Sequence, residues 1–211
     1  MAIKFSPPRF YPIIDTAVLG RTPFSPIRVA EEAVKAGAKI LQYRHKEKWT
    51  QAEFDEAKAI SAVCKEAAIP FIINDRADFA KLLGAGLHIG QDDLPPEAAR
   101  KLMQSAVIGY STHNAGQLRG TGDVPADYVS LGPIFQTTSK EKPDPVVHPD
   151  GIRAMRSLTS KPLVAIGGIT LENASEVLTA GADSVAIISA MLPIEKAYKR
   201  LSETLKEWCQ L

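Results

Sequence analysis

The chain has 211 residues, and its 25 Lys and Arg nearly balance its 24 Asp and Glu, for a formal charge of +1. That balance argues against a nucleic-acid surface, which carries a basic excess. With 45% hydrophobic and 23% charged residues, the composition excludes a disordered chain, a fibre and a disulfide scaffold.

The elements follow one another in strand–helix order. Apolar runs read as strands at Phe10–Ile14, Ile40–Arg44, Pro70–Ile73, Leu87–Ile89, Val107–Tyr110, Tyr128–Leu131, Leu163–Ile166 and Val185–Ile188. Helices lie between them. Ser25-Pro26 reads as an N-cap with Pro at the first helical position, and Gly37 sits where that helix should stop. Thr50 and Glu53 have capping-box spacing, and Phe54, Ala57, Ile60, Val63 and Cys64 then share one face. Asn173 is expected to cap the helix that Gly181 closes. The last helix carries a stripe of Ile194, Ala197, Tyr198, Leu201, Leu205 and Trp208. Gly37-Ala38, Gly84-Ala85 and Gly181-Ala182 each lead from a helix end into a strand.

Strict βα order means a parallel sheet, and eight units predict an α/β fold of the closed (β/α)8 TIM-barrel type. We expect one domain over residues 1–211. An open doubly wound sheet is the competing arrangement, but no GxGxxG follows the first strand. Cys64 and Cys209 are far apart with no CxxC, which predicts two buried, reduced thiols. Pro7 and Pro8 stand where a signal peptide needs its apolar run, and no stretch approaches the ~18 apolar residues of a membrane span. The expected location is cytoplasmic, with neither membrane nor nucleic acid as partner.

Barrel chemistry sits where strands end. In the second strand, period-two geometry puts Ile40, Gln42, Arg44 and Lys46 on the inward face and turns Leu41 and Tyr43 towards the helices. An amide and two cations rising into the mouth suit a polyanion. The third strand ends in Asn74-Asp75, either helix caps or site residues. The fourth gives His88 and, past its end, Asp92-Asp93. That acidic pair fits Mg²⁺, which takes few carboxylates and completes its shell with water and phosphate oxygens; helix capping is the alternative. The fifth ends Tyr110-Ser111-Thr112-His113, but no third partner makes a hydrolytic triad. The sixth runs on to Thr137, Ser139 and Lys140, hydroxyls and a cation suited to phosphate. Gly167-Gly168 and Ile188-Ser189 follow strands seven and eight, where backbone N–H groups approach an anion.

With these residues in view, the chain resembles the thiamine phosphate synthase family. The resemblance rests on Gln42-x-Arg44-x-Lys46, Ile73-Asn74-Asp75-Arg76, His88-x-Gly90-Gln91-x-Asp93, Gly109-x-Ser111-x-His113, Gly132-Pro133-Ile134-Phe135-x-Thr137-x-Ser139-Lys140 and Ile166-Gly167-Gly168-Ile169, in that order. It implies a transferase of thiamine biosynthesis that joins hydroxymethylpyrimidine diphosphate to a thiazole phosphate and releases pyrophosphate. By that resemblance Arg44, Lys46, Asn74 and Lys140 hold the pyrophosphate, with Ser111 bonded to it, and Asp75 and Asp93 bind Mg²⁺ as cofactor. Arg44, Lys46, Ser111 and Lys140 would be the catalytic set. Gln42 and His88 face the pyrimidine. Thr137, Ser139, Gly168, Ile188 and Ser189 receive the thiazole and its phosphate, the last three largely through backbone.

Departures from the family pattern are Ser139 for Thr, Gln136 for Pro, His45 for an acidic residue, and the segment 138–151. His45 should face away from the mouth. Two other functions use the same barrel: a thiazole tautomerase with His113 as its acid–base group, and a non-catalytic phosphate-binding regulator. Neither needs the full diphosphate set. A homodimer is compatible with the sequence, which does not fix oligomeric state.

Overall fold

A computed structural model describes residues 5–137, 144–193 and 198–211. Its strands are β1 (Phe10–Asp15), β2 (Leu41–Arg44), β3 (Phe71–Asn74), β4 (Gly86–Ile89), β5 (Ile108–Thr112), β6 (Tyr128–Leu131), β7 (Leu163–Ile166) and β8 (Ser184–Ile187). They form a closed barrel in sequence order, each parallel to its neighbours, with β8 returning to β1. Two strands match their expected spans; the others shift by one or two residues at one or both ends.

The helices surround the barrel: α1 (Thr16–Leu19), α2 (Pro26–Ala36), α3 (Gln51–Glu66), α4 (Ala77–Leu83), α5 (Pro96–Met103), α6 (Ala115–Arg119), α7 (His148–Met155), α8 (Leu171–Thr179) and α9 (Tyr198–Trp208). Their ends follow from local chemistry. Ser25 caps α2 by accepting from the Arg28 amide, and Gly37 ends it at φ 107, a left-handed conformation that costs glycine little. Thr50 and Glu53 form the expected capping box on α3. At α8 the expectation needs correction. The cap is Thr170, not Asn173, and the helix starts at Leu171. Asn173 is the third residue of the box, its Oδ1 accepting from the Thr170 amide at 2.9 Å.

Burial divides the apolar residues into two layers. Ile40, Ile72, Tyr128 and Val164 point into the barrel, while Leu41, Tyr43, Ile73 and Leu87 pack outwards against helices. The expected sidedness of β2 is therefore observed. On α9, Leu201, Leu205 and Trp208 are buried as expected, whereas Tyr198 is exposed and rests edge-on against Phe24. Ile194 and Ala197 of the expected stripe lie outside the described residues. Trp208 stacks on Phe10 with ring centroids 5.4 Å apart, pinning α9 over the β1 seam; fully burying a side chain of this kind stabilises by about 2–3 kcal/mol. Cys64 is buried, and burial pushes its thiol up to about 12. Cys209 is only half-buried, a correction to the expected pair of buried thiols; it lies just past the last residue of α9, where less of the fold covers it. No helix among the described residues is long and apolar enough to cross a membrane.

Candidate active site

The strand ends converge on one cavity of about 710 Å³ at the C-terminal mouth of the barrel. Gln42, Arg44, Lys46, Asn74, Asp75, His88, Asp93, Ser111, Thr137, Gly168, Ile188 and Ser189 all line it. Ser139 and Lys140 lie outside the described residues.

On the β2–β4 side, the register pairs Asp15 with Arg44 across β1 and β2. The two side chains form an ion pair, with Asp15 buried. Asp15 also accepts from the Val18 amide at 3.0 Å, so one carboxylate caps α1 and holds the guanidinium. Lys46 contacts Asp75 directly. Asp75 sits at φ 63, a left-handed conformation that an Asp tolerates better than most residues. Burial, and then its contact with the Asp93 carboxyl, push Asp75 up to about 6. Asp93 accepts from the Gly90 amide at 2.7 Å. Neither aspartate is a helix cap: α4 and α5 have no side-chain cap bond. Asn74 is buried in the cavity wall, and its Nδ2 has no hydrogen-bond partner. A buried unsatisfied donor destabilises by about 1–3 kcal/mol unless something accepts from it.

The β6–β8 side is built differently. Gly167 and Gly168 have φ 102 and 65. A Cβ on Gly168 would stand 2.5 Å from the Gln136 carbonyl, and one on Gly167 would stand 2.7 Å from Pro133 Cβ. Phe135 N donates to Gly167 O at 2.9 Å, locking the loop after β6 onto the end of β7. The glycines thus serve a tight turn and a close backbone approach together. His113 Nδ1 donates to the Gly132 carbonyl at 2.7 Å and stands 3.5 Å from Asp144, which orients the ring with its Nδ1 engaged. His45 faces outwards as expected, its Nδ1 2.7 Å from Thr16 Oγ1.

The sequence reading missed Asp15, Tyr11, Tyr128 and Ser130. Tyr11 and Tyr128 sit within apolar strand runs, yet both line the cavity floor, where their hydroxyls meet at 2.9 Å. The available signal was a phenol on an inward strand position, which demands a polar partner. His88 bonds Tyr128 and Ser111, and burial lowers it to about 4. It is a neutral imidazole at neutral pH.

The family model described as thiamine monophosphate synthase matches residues 10–191, a span that takes in every strand of the barrel and stops before α9. The chain belongs to this family. A thiamine-phosphate synthase of Koribacter versatilis is 44% identical over 196 residues, covering 91% of this chain and 92% of that protein. One of Methanosarcina barkeri is 40% identical over 185 residues, covering 87% and 82%. Among solved structures, the thiamine phosphate pyrophosphorylase of Pyrococcus furiosus superimposes with a TM-score of 0.81 at 29% identity, covering 96% of this chain and 95% of that one. Membership of the thiamine monophosphate synthase family matches the resemblance read from the strand-end motifs.

Proposed function

We propose that this chain is a transferase with the activity its family is named for. It couples hydroxymethylpyrimidine diphosphate to a thiazole phosphate, giving thiamine phosphate and pyrophosphate. The observation that carries this reading is the buried, unpartnered Asn74 amide beside two carboxylates in contact and two cations, all in one cavity wall. Such a donor needs an oxygen acceptor, and such a carboxylate pair needs a cation; a metal-bound diphosphate supplies both.

The Asp75–Asp93 pair fits Mg²⁺. Burial and the neighbouring Asp93 carboxyl raise Asp75 even with Lys46 in contact, and a divalent cation would relieve that penalty. Among the described residues no group of three or more acidic, His or Cys side chains is placed to hold a metal. A two-carboxylate site is the Mg²⁺ style, the remaining ligands coming from water and phosphate. When bound, the ion would supply positive charge next to the departing pyrophosphate.

The chain's own residues do the rest. Arg44 and Lys46, with Lys140 from the resemblance, hold the phosphate oxygens; Asn74 and Ser111 donate to them. Gln42 and His88 face the pyrimidine ring. Thr137, Ser139 and the backbone at Gly168, Ile188 and Ser189 hold the thiazole phosphate. The C–O bond to the diphosphate breaks with its electron pair leaving on oxygen. The thiazole nitrogen lone pair then forms the new C–N bond, and no proton is transferred. A neutral His88 and a His113 whose Nδ1 is engaged agree with a reaction that needs no strong base. The cations stabilise charge only as it develops on the leaving group.

The test is direct. Purified protein given both substrates and Mg²⁺ should release thiamine phosphate and pyrophosphate, and a chelator should stop it. No product under those conditions, or isomerisation of a thiazole carboxylate phosphate in its place, overturns the reading.

A further inference from the structure

Five strands contribute to one chain of hydrogen bonds across the cavity floor. Gln42 Nε2 donates to the Tyr11 hydroxyl at 3.0 Å. Tyr11 meets the Tyr128 hydroxyl at 2.9 Å, and Tyr128 meets His88 Nδ1 at 3.0 Å. His88 Nε2 meets Ser111 Oγ at 2.9 Å, and Ser130 Oγ donates to Ser111 Oγ at 3.3 Å. Gln42, Tyr11, Tyr128, His88 and Ser130 are buried. The link between His88 and Tyr128 spans β5, whose Gly109 is in register with both. A Cβ on Gly109 would stand 2.1 Å from Tyr128 Cζ and 2.4 Å from His88 Nδ1. Glycine is required there for the chain to exist.

The chain has few protons to distribute. Each phenol has one, and burial raises both phenols above their ordinary range, so neither ionises. A neutral imidazole donates from one nitrogen and accepts at the other. The whole chain is therefore polarised in one sense or the other. With the Gln42 amide donating to Tyr11, the one sense that uses every hydroxyl proton in the chain runs from Tyr11 to Tyr128 and from Tyr128 to His88 Nδ1. The His88 proton then sits on Nε2 and goes to Ser111. Ser111, accepting from His88 and Ser130, keeps its own proton for something else.

We propose that this chain sets the specificity of the pyrimidine half-site by fixing both of its ends at once: Gln42 offers a carbonyl acceptor to an amino-bearing ring, and Ser111 offers a hydroxyl donor to a phosphate oxygen. Tyr11 and Tyr128 are positioning residues, and Gly109 is the gap that lets them reach His88. The opposite polarity would aim an amide N–H at the ring and a lone pair at the phosphate. The ligand assignment rests on the proposed transferase reading; the polarity does not.

Two measurements test it. In the full chain without substrate, ¹⁵N NMR of labelled histidine, with His88 assigned through His88→Gln, should show the Nε2–H tautomer. An Nδ1–H tautomer overturns the proposal whatever the enzyme does with its substrates. The Nε2–H tautomer in a protein that makes no thiamine phosphate would support the polarity and sink the transferase reading. Second, Tyr128→Phe and Tyr11→Phe should each narrow the discrimination between the aminopyrimidine diphosphate and its oxo analogue by about tenfold, with thiazole phosphate affinity unchanged. Tyr11→Phe carries this test alone if Tyr128→Phe does not fold. Undiminished discrimination in a folded variant overturns the proposal.

Discussion

The two walls of the cavity differ in kind. The β2–β4 wall is made of charged and amide side chains: Arg44 is tied to Asp15, Lys46 to Asp75 and Asp75 to Asp93, while Asn74 Nδ2 has no partner. The β6–β8 wall adds to its side chains, Tyr128, Ser130 and Thr137 among them, backbone brought close by Gly167 and Gly168. A wall of side chains is tuned by exchanging them. A wall of backbone is tuned only by the turn that shapes it, so the two should fail under opposite kinds of substitution.

The largest expected effect is on the side-chain wall. Asp93→Asn keeps an acceptor for the Gly90 amide but removes a charge, so turnover should fall on the order of 10²-fold or more while the melting temperature holds. Activity near that of the unmodified chain would move the metal away from Asp93. Next is Gly168→Ala, which adds one methyl to the backbone wall. We expect thiazole phosphate affinity to drop roughly 10- to 100-fold, because a left-handed turn that must hold a Cβ costs about 1–3 kcal/mol; steady-state KM for each substrate would show whether the loss is confined to that side. Asp15→Asn preserves the α1 cap but removes the charge opposite Arg44. The KM for the pyrimidine diphosphate should rise about tenfold and the melting temperature fall by roughly 4–8 °C, readable by kinetics and calorimetry. The smallest effect is Ser189→Ala, expected to change either KM by no more than about twofold, since that residue is assigned a backbone role. A loss as large as that of Gly168→Ala would erase the distinction between the walls.

Much of this site was legible because barrel geometry is periodic. The alternation Gln42, Tyr43, Arg44 told which side chains face the mouth, and the Gly-Gly after β7 marked the backbone wall. What escaped was long-range pairing. Asp15 gains its importance from a register partner on the next strand, Arg44, which no local pattern reports. Tyr11 and Tyr128 are 117 residues apart, so their shared hydrogen bond is invisible in either apolar run. The α8 start was misplaced for a local reason: Asn173 is as good a cap residue as Thr170, and only the hydrogen bond between them says which plays which part.

The seam between β1 and β8 has a further consequence, for the order in which the molecule assembles. Ser184 Oγ donates to the Arg9 carbonyl across 175 residues of sequence, and Phe10 stacks on Trp208. During synthesis β1 emerges before its partner on this seam and keeps that edge unpaired until β8 has left the ribosome. Contacts of such sequence separation form slowly. Closure of the seam is therefore the step at which a partly made barrel is most exposed to pairing with the wrong strand.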